Sequence, residues 1–136
     1  MRAQISLEFL LLLLAFLACF ALLLPFYSSA YNAGIFALDS MNAKRFADSV
    51  KNSVEQLRFL GNGSSIEKTA NPSLQWKIFS EKNTLFVSVK SASLGKEKIF
   101  SVIFPNEISF RETEFDSEKS FLVKKSSGLV SFENTD

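Results

Sequence analysis

From residue 9 to residue 26 the chain reads FLLLLLAFLACFALLLPF, 18 residues without a charge. As an α-helix this run spans about 27 Å, close to the thickness of a bilayer's hydrocarbon core. Thirteen of its residues are Leu or Phe, and at the helix centre these favour membrane insertion by roughly 4–8 kcal/mol in total. The single carboxylate at its lip, Glu8, cannot overturn that balance. With the run set aside, the remainder of a 136-residue chain can build only one modest core, which excludes a large enzyme scaffold. The first expected partner is therefore membrane lipid. Positive charge at the start comes only from Arg2 and the amino terminus, so the positive-inside bias predicts a cytoplasmic N-terminus with the rest of the chain outside.

Two ordinary assignments account for an apolar N-terminus. A secretory signal peptide would use the small residues Ser28, Ser29 and Ala30 as a cleavage site before Tyr31. Against it stand Glu8 beside the apolar core, a run at the long end for such peptides and a helical pattern that continues past the cut. A plain single-pass anchor explains the apolar run but not the residues Gln4, Ser6, Glu8 and Phe9.

Those residues carry a likeness. Ala3-Gln4-Ile5-Ser6-Leu7-Glu8-Phe9 resembles the class III signal peptide of archaeal type IV pilin-like proteins, in which Gln-x-Ser-x-Glu-Phe immediately precedes the apolar helix. The likeness covers about 23 residues, helix included. It implies that a prepilin peptidase on the cytoplasmic side cuts between Ala3 and Gln4 and leaves the helix on the mature protein. Family members usually carry glycine where Ala3 stands. Pro25 falls where pilins often place a helix-bending proline. In a helix it removes one hydrogen bond and clashes with the carbonyl four residues earlier, so a kink or local melting is expected over residues 21–25, with a simple helix end at the bilayer surface as the other reading.

What the resemblance implies is a structural subunit, a major or minor pilin, of a surface filament, anchored in the membrane before assembly. Its implied partners are the prepilin peptidase, copies of itself or other pilins and, indirectly, an assembly ATPase and membrane platform. Its place would be the cell membrane first and the cell-surface filament afterwards. If Gln4 becomes the N-terminus, its ammonium and the Glu8 carboxylate lie about one helical turn apart and near those of a docking neighbour. At about 4 Å and an effective dielectric near 20 such a pair attracts by roughly 4 kcal/mol, and desolvation costs several kcal/mol per ion, so the pair sets register more than strength. The small residues Ala15, Ala18, Cys19 and Ala21 would let helices approach closely. The alternative is a single-pass, membrane-anchored extracellular binding protein that does not polymerise.

Beyond the membrane run, Tyr31, Ile35, Leu38, Met41, Phe46, Val50, Val54, Leu57 and Leu60 recur mostly three or four apart, which predicts an amphipathic helix. Asp39, Lys44, Arg45, Asp48, Lys51, Asn52, Glu55 and Arg58 are assigned to its polar face. Gly61-Asn62-Gly63 ends it, and a break near Pro25 or Gly34 is a further expectation. After Gly63 come short runs rich in β-branched and aromatic residues, at 74–79, 85–89, 98–104, 108–115, 120–124 and 129–132, separated by turn signals. The expected class is α+β and pilin-like, with a small antiparallel sheet or sandwich behind a long helix. The segments are 1–3 as leader, 4–26 as membrane-spanning and filament-core helix, 27–61 as amphipathic extension and 64–136 as the β-rich extracellular domain. The many phenylalanines are expected to fill the core against the helix.

Composition narrows the chemistry. The chain has no histidine, the commonest general base, and shows no zinc spacing, phosphate loop or Ser/His/Asp set, so no enzyme, cofactor or metal is expected. A net charge of +1 gives no field that would make nucleic acid the main ligand. Glu112, Glu114, Asp116 and Glu118 alternate along a predicted strand and turn, and read as solvated edge charge that discourages strand pairing, with cation binding on one face as the other reading. Cys19, inside the apolar run, is expected to be inert, with an intermolecular disulfide as the other reading. Asn62-Gly63-Ser64 is an N-glycosylation sequon, to be modified if exterior or left as a bare turn.

Overall fold

The computed structural model describes residues 2–126 and 129–135, with side-chain surroundings from Ser6 onward and not for Asn134. One helix, α1, runs from Arg2 to Phe59. The chain divides into two compact units, Met1–Gly34 and Ile35–Asp136, and α1 belongs to both.

In the first unit the chain is helical throughout its described length. Pro25 lies inside the helix and neither it nor Gly34 interrupts it, so the local melting expected around residues 21–25 does not occur. A helix tolerates an internal proline when enough flanking turns hold the backbone around the one hydrogen bond it removes.

Among the described residues of the second unit, eight strands follow α1: β1 (Ser65–Ala70), β2 (Gln75–Glu81), β3 (Thr84–Ser91), β4 (Lys96–Ile103), β5 (Ile108–Ser109), β6 (Thr113–Phe115), β7 (Lys119–Ser126) and β8 (Leu129–Thr135). They form two four-stranded sheets, ordered β1-β7-β8-β5 and β4-β3-β2-β6. Alternation places Trp76 and Ile78 of β2, Leu85, Val87 and Val89 of β3, and Phe121 and Val123 of β7 inside, as period-2 patterning requires. These side chains and the buried stripe of α1 form one hydrophobic core. Phe46 of α1 sits 6.0 Å from Trp76 and 5.9 Å from Phe121 between ring centres, and Phe115 lies 5.4 Å from Phe121. The phenylalanines thus fill the space between helix and sheets, in the tilted geometries aromatic pairs prefer.

Three expectations are corrected here. β1 is a strand that the pattern Ser-Ile-Glu-Lys-Thr-Ala did not reveal, and it pairs antiparallel with β7 along its whole length. The expected strand over 108–115 is two strands in different sheets. β5 joins β8 and β6 joins β2, while Phe110 between them is held by Ser80, whose Oγ accepts from the Phe110 amide and donates to its carbonyl. The β5–β8 pair is parallel, so the architecture is mixed and not purely antiparallel.

The end of α1 is built as expected. Gly63 takes φ +92° in the turn after the helix, a conformation cheap only for glycine. The Lys125 ammonium donates to the carbonyls of Arg58 and Leu60, at 3.1 and 2.9 Å, placing a cation at the negative end of the helix dipole.

Candidate functional site

The residues that resemble a class III leader stand at the start of α1. Ala3 and Gln4 are within the helix, but their side chains lie outside the described residues. Ser6, Glu8 and Phe9 are exposed. Every side chain from Leu7 through Tyr27 is exposed as well, and no residue of the most apolar stretch is buried within the chain. The helix is long and apolar enough to cross a membrane. So much exposed Leu and Phe cannot face water without a large free-energy cost, so this surface belongs against lipid or other protein. Cys19 is among the exposed positions.

In the second unit Phe46, Val50, Val54 and Leu57 face the core as expected, but the N-terminal part of the expected stripe does not. Leu38 and Met41 are 65% and 56% exposed, whereas Asp39, Ala43, Phe46, Ala47, Val50, Val54 and Leu57 are buried. Positions 39, 43, 46, 50, 54 and 57 are themselves three or four apart and define the inward stripe. Leu38 is rotated from Ala43, five positions on, by about 140°, which turns it and Met41 to the outside.

Asp39, assigned by pattern to the polar face, is 1% exposed and forms the most connected polar site in the unit. Its Oδ1 accepts from the Ser73 amide at 2.9 Å, and its Oδ2 accepts from the Leu74 amide at 3.1 Å and the Trp76 indole Nε1 at 2.6 Å. A buried carboxylate is tolerable when its lone pairs are filled by donors. Asp39 therefore clamps the start of β2 and the loop before it to the helix. The neighbouring Ser40 hydroxyl is buried without a partner among the described residues.

The acidic cluster does not gather into a site. Lys77 forms an ion pair with Glu112 and a longer contact, 3.9 Å, with Glu114. Its pKa is raised above 10.5, first by the hydrogen bond to Glu112. Asp116 and Glu118 are exposed, and among the described residues no group of three or more metal-ligating side chains converges. A cavity of about 170 Å³ lies beside the end of α1, lined by Val54, Leu57, Phe104, Ile108 and Val130, with Arg58 and Lys125 as its charged residues. Asn62 is exposed in the turn after the helix. No protein-family profile, no curated protein and no solved structure matches this chain.

Proposed function

We propose that this chain is a non-catalytic structural subunit, a major or minor pilin, of an archaeal type IV pilus-like surface filament, held in the membrane before assembly. One observation carries the reading: the motif Gln4-Ile5-Ser6-Leu7-Glu8-Phe9 leads directly into the helical apolar run of residues 9–26, whose side chains are all exposed. A prepilin peptidase cuts before Gln4 and leaves that helix in place. In the bilayer the helix faces lipid, and in the filament it faces the helices of neighbouring copies or of other pilins. Exchanging lipid for helix changes little in hydrophobic free energy, so packing and polar contacts must drive association. The folded unit, with the turn at Asn62, lies outside the cell, where that sequon is open to glycosylation. An assembly ATPase and membrane platform act on it indirectly, and nucleic acid is not its main ligand.

Glu8 is the residue this reading needs most. It pairs with the Gln4 ammonium of a neighbour and sets the axial register, as charges at one polar position in an apolar interface do elsewhere. Glu8→Ala should therefore insert into the membrane at the parent level yet yield few filaments by electron microscopy. Parental filament numbers from Glu8→Ala would refute the register role given to Glu8, whereas no filaments from the parent chain itself would leave the non-polymerising, membrane-anchored binding protein.

A further inference from the structure

The sheet edges of the second unit are unequal. β5 and β6 are two and three residues long, and β1 carries Glu67 and Lys68, the short length and the charge that usually protect an edge. β4 is different. It is eight residues long, lies at the end of its sheet and pairs with β3 on one side only among the described residues. Lys96, Glu97 and Lys98 guard its first half, but residues 99–103 hold no charge, proline or bulge. Ile99 and Ile103 point outward at 55% and 67% exposure. Behind them on the same face, Phe79 and Phe86 stack at 5.0 Å, and Phe86 pairs with Ser101.

We propose that β4 is a docking edge for β4 of a second copy of this chain, antiparallel and centred on Ser101. With Ser101 opposite Ser101, Ile99 of each copy stands directly across from Ile103 of the other, as two apolar cross-strand pairs. The stacked phenylalanines flank the central pair on both sides.

Charge selects this orientation. A parallel pairing in register would set Lys96 against Lys96 and Lys98 against Lys98. The antiparallel one separates the two Lys98 residues by six strand positions, about 20 Å, well beyond the Debye length of about 8 Å. It also runs Lys96 and Lys98 alongside the 104–107 turn of the other copy, whose one charged residue is Glu107. Unsatisfied backbone groups supply the remaining attraction, as in strand addition generally. A two-fold pairing closes on itself, so it joins two molecules, or two filaments side by side, and does not lengthen one.

The test is disulfide trapping of the full chain in native membranes, in a Cys19→Ser background. Opposed residues of an antiparallel pair have Cα atoms about 4.5–5.5 Å apart, within disulfide range. Under mild oxidation Ser101→Cys should form a dimer at least about tenfold faster than Lys96→Cys, and co-expressed Ile99→Cys and Ile103→Cys chains should form the mixed dimer. Ile103→Lys added to Ser101→Cys should abolish trapping, with Trp76 fluorescence reporting that each variant stays folded. A Ser101→Cys rate no higher than that of Lys96→Cys would overturn the proposal. So would equal rates at every position from 97 to 103, or an adduct with a different protein.

Discussion

Replacing Asp39 with alanine tests the clamp between helix and sheet. The substitution strips the acceptor from three donors at once: the Ser73 and Leu74 amides and the Trp76 indole, the last at 2.6 Å and fully buried. Hydrogen bonds to a charged group contribute about 1.5–3 kcal/mol each, and a buried donor left empty costs about 1–3 kcal/mol. The two amides are only partly buried, so water replaces part of their loss. The indole cannot recover its partner in that way. The expected destabilisation for Asp39→Ala is therefore about 3–5 kcal/mol, which for a unit of this size lowers the thermal midpoint by more than about 12 °C. Asp39→Asn keeps one acceptor but turns an NH₂ toward the donors, and should cost less. Trp76 is the only tryptophan, so its fluorescence reads this site directly during urea unfolding of the full chain in detergent micelles. A cycle with Trp76→Phe isolates the indole bond, with a coupling of about 1–2 kcal/mol expected. If Asp39→Ala unfolds within 1 kcal/mol of the parent, or if the cycle shows no coupling, the clamp is not what holds β2 to the helix.

The two faces of α1 make a second contrast. Leu57 is fully buried, and Leu57→Ala should destabilise the unit by about 2–5 kcal/mol. Leu38→Ala, on the outward side, should leave the same urea midpoint nearly unchanged, and equal losses from the two variants would contradict the assignment of faces.

Much of this architecture is legible in the residues, and the misses have physical causes. The Leu/Phe run and its helix follow from hydrophobicity alone. β2, β3, β4, β7 and β8 follow from short runs rich in β-branched and aromatic residues bounded by turn signals, with the clearest alternation in β3. Phe46, Val50, Val54 and Leu57 lie on the face expected of them, whereas Leu38 and Met41 mislead because pattern reading weights large side chains and the two keep helical spacing with each other. The true stripe passes through Ala43 and Ala47, small residues that leave room for Phe46 and Trp76 to pack. A buried aspartate is invisible to hydropathy. Its signal is positional, since Asp39 stands four residues before Ala43 on the stripe that continues to Leu57. β1 was missed because its outward residues are polar and its apolar content is low, and only pairing with β7 makes it a strand. The division of 108–115 between two sheets depends on β8, which comes later in the chain. The resemblance of residues 3–9 to a leader is of another kind, because what it implies is a cleavage reaction and not packing.

That reaction is also where the account is most exposed. Intact-mass and N-terminal peptide mass spectrometry on the protein recovered from its native membrane, allowing for cyclisation of an N-terminal glutamine, should show a chain beginning at Gln4. A chain beginning at Tyr31 would mean ordinary secretion, and one retaining Met1 would mean a static anchor; either result contradicts the filament subunit proposed here.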